Sequence, residues 1–206
     1  MKHNKVLLFA VFCAIIACSV GQGPTCGTPI IQYDQPFLIY APTWKSYCSV
    51  SDGITFKCNI GQTNPNYATK FAINDGRYFG YPSRTGSVVT KSVFPNMLYV
   101  TTGSWNTGVN VAHIPLGAKN GELFFKPLNY LTQDPVIFQF QNNFPQGNGN
   151  LHGNVSEINF RNIRQPAGTG FCAASSSTTN NGIVSCDRTM IREWEAFFFI
   201  PWTGSF

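Results

Sequence analysis

Phe171-Cys172-Ala173-Ala174-Ser175, then Gly182-Ile183-Val184-Ser185-Cys186, then Trp194-Glu195-Ala196-Phe197-Phe198-Phe199-Ile200: the fold is decided in this stretch. An aromatic–Cys run leads to a turn signal at Asn180-Asn181-Gly182. A second run ends in Cys, and an aromatic run closes the unit. Short runs of β-branched and aromatic residues between Asn/Gly punctuation predict strands joined in a hairpin. The two cysteines flank the turn, so a Cys172–Cys186 disulfide is expected to staple adjacent strands.

The same order occurs near the start of the chain. Tyr47-Cys48-Ser49-Val50-Ser51 is followed by Gly53-Ile54-Thr55-Phe56-Lys57-Cys58 and by Ala68-Thr69-Lys70-Phe71-Ala72-Ile73. Cys48 and Cys58 flank Ser51-Asp52-Gly53 and form the second expected disulfide. Loops this short, once cross-linked, restrict the unfolded chain by about 2–3 kcal/mol each. A middle segment keeps the outline without cysteines: Met97 to Thr101, Gly121 to Phe125, then Pro135 to Phe140. The closing runs centre on Phe71, Phe138 and Phe197, separated by 67 and 59 residues. Three hairpins with three closing strands predict an all-β fold, a β-trefoil with threefold pseudosymmetry; another β-barrel or a β-sandwich is the alternative. No window beyond the N-terminal segment recurs apolar at helical spacing for more than a turn.

The pattern aromatic-Cys, glycine turn, Cys, then Trp-Glu-x-Phe resembles the fascin-like and related lectin-like trefoil repeats. In those, a motif like Arg192-Glu193-Trp194-Glu195-Ala196-Phe197 closes a repeat. The resemblance is strongest over 170–200, fair over 30–73 and weak between. It implies core packing for Trp194 and Phe197. The Gln-x-Trp signature of the ricin-type branch is absent, so that branch's sugar-binding residues do not carry over.

Basic Lys2, His3 and Lys5 precede an apolar run from Val6 to Ile16 and small or polar residues at Ala17, Ser19 and Gly21. This predicts a secretory signal peptide over 1–21, with cleavage after Gly21 or Gly23, and one domain over 22–206. A second reading makes Ile15-Ile16-Ala17-Cys18 a lipid-attachment box. The apolar run is short for a membrane span. About 180 residues remain, enough for one real core. Only 11% of the chain is charged and 15% is aromatic, a composition that must bury surface and that argues against disorder. The net charge of +5 is thinly spread, so the concentrated basic stripe of a nucleic-acid binder is missing. Five of the seven cysteines follow the signal, and Cys26 is left without a partner. The cysteine spacings are not those of a zinc ribbon, and no metal or cofactor is expected.

Chemistry-bearing residues are sparse. His113 and His152 have no Cys or Asp at motif spacing, and the carboxylates are dispersed, whereas nucleophilic catalysis and glycoside hydrolysis each need convergent groups. The chain therefore reads as a binding protein and not an enzyme. Sugars offer apolar faces to aromatic rings and hydroxyls to amides, which makes Trp105 with Asn106, and Trp44 with Tyr47, the candidate ligand-binding residues. Trp202 is expected to pin the C-terminus to the body. Asn154-Val155-Ser156 is an N-glycosylation acceptor. The expected function is that of a secreted lectin-like module with a glycan or cell-surface polysaccharide as partner. A matrix or coat component acting through protein contacts is the runner-up, and a protease inhibitor presenting 102–120 is the third. If Cys26 joins two molecules, non-reducing gels will show a dimer that Cys26→Ser abolishes. A monomer in both preparations would contradict that role.

Overall fold

The computed structural model describes residues 30–50, 55–59, 61–74, 84–90, 96–102, 112–119, 122–125, 138–142, 153, 157–162, 170–175 and 181–203. The architecture is all-β and antiparallel. Its strands, in order, are β1 (Phe37–Ala41), β2 (Ser46–Tyr47), β3 (Ser49–Val50), β4 (Phe56–Lys57), β5 (Phe71–Asn74), β6 (Met97–Thr102) and β7 (Ala112–Lys119). There follow β8 (Glu122–Phe125), β9 (Phe138–Asn142), β10 (Ile158–Asn162), β11 (Phe171–Ala174), β12 (Val184–Arg188) and β13 (Phe198–Pro201). Two 3₁₀ turns, Pro65–Tyr67 and Glu193–Glu195, are the helical elements among the described residues. No described helix is long and apolar enough to cross a membrane.

Two kinds of pairing organise these strands. The first joins strands far apart in sequence. β1 pairs with β13 over Phe37↔Pro201 to Tyr40↔Phe198. It meets β5 at Phe37↔Phe71, and β5 pairs with β6. The Phe138 N–H at the start of β9 donates to the Asn96 carbonyl beside β6 at 2.8 Å. β9 pairs with β10 over five residues. Ile158 of β10 and Phe197, just ahead of β13, exchange both backbone bonds, at 2.6 and 3.1 Å. From β1 these links lead through β5, β6, β9 and β10 back to β13.

The second kind forms hairpins. β3 pairs with β4, β7 with β8 and β11 with β12. Disulfides Cys48–Cys58 and Cys172–Cys186 staple the first and third. The hairpins also touch one another: Ser185 of β12 pairs with Glu122 of β8, and Lys57 of β4 bridges Ile183. Gly182 makes that last approach feasible. Its φ of 77° is left-handed, and a Cβ there would run into the Asn59 side chain. Its carbonyl accepts from the Cys58 N–H at 2.9 Å and its N–H donates to Ser175 at 2.7 Å.

The middle hairpin is built differently from the sequence expectation. Met97–Thr102 is β6, which lies between β5 and β7. The hairpin partner of β8 is β7, Ala112–Lys119. Pro115 and Gly117 lie within β7, and both weaken a strand signature.

Phenylalanine fills the interior. Phe37, Phe71, Phe138, Phe140, Phe160, Phe197 and Phe199 are all fully buried, together with Phe56 from the first hairpin. Phe37 stacks on Phe199 with centroids 4.8 Å apart. Phe160 touches Phe138, Phe140, Phe197 and Phe199 at 5.0–6.1 Å. Such pairs add about 0.5–1.5 kcal/mol beyond the area they bury. Leu98 and Val100 complete this wall from β6.

Removing a central ring leaves a cavity its neighbours cannot refill. Phe160→Ala is expected to lower unfolding free energy by about 3–5 kcal/mol, whereas Tyr67→Ala, at a ring 78% exposed, changes it by about 0.5 kcal/mol or less. Urea unfolding of both variants checks this, and equal effects would contradict the placement of the core.

Candidate functional site

The turn between β1 and β2 presents Trp44. Lys45 beside it has a left-handed φ of 50°, which reverses the chain within four residues. The Trp44 ring is half-buried against the core cluster. Its indole N–H donates to the Ala174 carbonyl of β11 at 3.0 Å, 130 residues away. Its ring lies 5.7 Å from that of Trp194, with the planes 57° apart.

Trp194 sits in the 3₁₀ turn Glu193–Glu195, which a buried carboxylate holds in shape. Glu195 is 3% exposed. One of its oxygens accepts from the Arg192 backbone N–H at 2.6 Å, and the other lies 3.8 Å from Arg188 Nε. The Glu195 carbonyl accepts from Asn159 Nδ2 at 2.6 Å. The approach to this turn leaves Met190 and Ile191 exposed. Trp194 is half-buried, while Phe197 is wholly in the core. The core packing that the repeat resemblance implied for both therefore holds fully at Phe197 and only in part at Trp194.

Tyr47 belongs to the same β1–β2 hairpin but meets a different ring. It faces Tyr40 across the strand pair, edge-on, at 5.3 Å. Burial raises the Tyr40 phenol above its ordinary value. The β2 edge is tied to the next loop by the Tyr47 N–H on the Gln62 carbonyl at 2.8 Å. Two of the ligand-facing candidates read from sequence are thus set in ring pairs, Trp44 with Trp194 and Tyr47 with Tyr40. Trp105, Asn106, Asn154, His152, Cys26 and the segment 1–21 lie outside the described residues. Among the described residues no three His, Cys, Asp or Glu side chains gather as a metal site would require.

Sequence reasoning missed a recess of ≈ 190 Å³ where the start and end of the described chain meet. Its walls come from residues 30–32, 35–37 and 201–203. The Trp202 backbone N–H donates to the Pro36 carbonyl at 2.9 Å, and the Lys70 ammonium lies 4.7 Å from the centre of the Trp202 ring. The Trp202 backbone thus ties the chain after β13 to the residue before β1, and Trp202 also walls the recess. The signal available in the sequence was a Trp placed immediately after a strand-ending Pro.

No family model matches the chain, and no curated protein does. Among solved structures, the crystal structure of the botulinum neurotoxin serotype G binding domain is similar to it, with a TM-score of 0.53 and 12% identity. The match covers 94% of this chain and 50% of that one, so the chain spans about half the length of the domain it resembles. The likeness is one of fold.

Ionising Tyr40 means charging a phenol that burial disfavours. Its folded pKa is raised, so its contribution to stability is complete below the ordinary tyrosine value and is lost as pH rises through the folded one. Spectrophotometric titration should show a late-ionising component that Tyr40→Phe reduces; an unchanged curve would contradict this.

Proposed function

We propose that the chain is a secreted, non-catalytic β-trefoil that binds a glycan. Two features support the trefoil. The long-range pairings run from β1 through β5, β6, β9, β10 and β13 and return to β1, as six strands of one barrel would. Three hairpins, β3–β4, β7–β8 and β11–β12, hang from that circuit and meet through β4, β8 and β12, as a threefold cap would. The Arg192–Phe197 motif resembles the one that closes the fascin-like and lectin-like repeats. The similar solved structure is itself a binding domain, and its fold agrees with this reading. Secretion rests on the basic and apolar start of the sequence and fits the two disulfides, which persist in oxidising compartments.

The observation that carries glycan binding is the half-exposed ring pair Trp44–Trp194, with Tyr47–Tyr40 on the same β1–β2 hairpin as Trp44. Aromatic faces held rigidly at a surface offer apolar area at little entropic cost. Here polar Lys45, Arg192 and Glu193 stand exposed near them in sequence and offer bonds to hydroxyls. Trp105 and Asn106 are proposed to extend the surface from the 102–120 segment, and Asn154 to carry an N-linked glycan of its own.

A glycan array tests this. The wild-type protein is expected to retain a subset of glycans, and Trp44→Ala, Tyr47→Ala and Trp105→Ala each to weaken that retention by about tenfold, the loss of roughly 1.4 kcal/mol of contact. Silence across the array would sink the function. Retention unchanged in all three variants would reject these rings as the site.

A further inference from the structure

We propose that the recess beside Trp202 is a second glycan site, one that takes a single neutral hexopyranose unit. The inference rests on the reading of the chain as a glycan-binding module and assigns it a site that the ring pairs do not use.

The chemistry of the walls argues for that ligand. The floor is apolar and rigid: Ile31 and Phe37 are 2% and 1% exposed, and Phe37 is paired to Pro201 at the end of the β1–β13 ladder. Trp202 supplies an aromatic wall, stiffened by the Lys70 ammonium over its ring. Its indole Nε1–H is buried and has no acceptor among the described residues. Buried in this way the donor does not face the recess, so what Trp202 offers a ligand is its ring. Around the rim stand the amides of Gln32 and Gln35 and the hydroxyl of Thr203. All three residues are exposed. Amides and a hydroxyl both donate and accept, as a ring of sugar hydroxyls requires.

Charge and size narrow the choice. The nine described lining residues include no Asp, Glu, Lys, Arg or His, and the nearby Lys70 ammonium is held over the Trp202 ring and on the Asn66 carbonyl, so neither a carboxylate nor a phosphate finds a counter-charge among them. A purely apolar ligand would leave the amides and the hydroxyl of the rim unanswered. The volume of ≈ 190 Å³ is below the roughly 300–1,000 Å³ of sites that enclose a drug-sized ligand, and it has room for one ring and not for a chain of them. The site therefore fits a terminal residue, or one ring of a longer glycan passing over the rim.

The test is an NMR titration of the full secreted chain with neutral methyl hexopyranosides and, separately, with glucuronate. The Trp202 indole Nε1–H resonance is assigned by its loss in Trp202→Phe. A single ring offers few atoms, so a Kd on the order of 1 mM is expected. The resonance should shift saturably with a neutral hexopyranoside. Gln35→Ala and Thr203→Ala, both exposed positions that spare the core, should each weaken the effect by about threefold to tenfold, and Trp44→Ala should leave it intact. A resonance that stays still while the wild-type protein binds glycans on the array overturns the recess and leaves the wider reading standing. A still resonance together with a silent array overturns both. A stronger response to glucuronate than to the neutral sugars overturns the assignment of ligand class.

Discussion

The convergence of phenylalanine rings is the constraint on which the rest of the molecule depends. Phe37, Phe71, Phe138, Phe140, Phe160 and Phe199 come from five separate strands and, with Phe197 just ahead of β13, bury completely in one interior. A chain with so few charges has little else with which to offset the entropy of ordering, and fully burying each such ring is worth about 1.5–3 kcal/mol. The rings are brought together by strand pairs remote in sequence, β1 with β13 above all. Until β13 docks, Phe197 and Phe199 have nowhere to go, and Phe37 lacks its stacking partner. Hairpins can form locally, but the interior is complete only when β1 and β13 meet.

That meeting also generates the surfaces proposed to bind. The recess lies where the backbone bond from Trp202 to Pro36 ends the β1–β13 ladder. The Trp44–Trp194 pair joins the first segment to the third, secured by the indole bond to Ala174. Both features are by-products of joining segments far apart in sequence. Each is built on backbone that the core holds rigid, which is what a sugar site needs, since a sugar ring offers too few contacts to organise a mobile loop.

Much of the fold could be read from local chemistry. Asn180-Asn181-Gly182 called for a turn, and Gly182 adopts the left-handed φ that only such a signal predicts. The paired cysteines flanked their turns and are bonded in the structure. Phe71 and Phe138 do open closing strands, and Phe197 bridges into one. β7 escaped notice because Pro115 and Gly117 dilute its pattern, and the middle unit was consequently read one strand out of step. The site was far less legible. That Trp44 binds Ala174 and rests on Trp194 depends on contacts spanning 130 and 150 residues, which no local pattern encodes. The recess is assembled from residues 30–32, 35–37 and 201–203, so neither half shows a motif by itself. Glu195 was counted among dispersed carboxylates, yet it is buried and shapes the turn that presents Trp194.

Native-state hydrogen exchange at three backbone amides tests the central claim most directly, namely that the strands return on themselves around a shared aromatic interior. The Phe138, Ile158 and Phe197 N–H groups make the bonds that link β9 to β6 and β10 to the start of β13. If the circuit is real, all three exchange only through global unfolding, with protection equal to that of the β1–β13 ladder. Exchange at these amides as fast as in the exposed 61–67 loop, while β1 and β13 stay protected, would mean that the circuit is open and that the account of the fold is wrong.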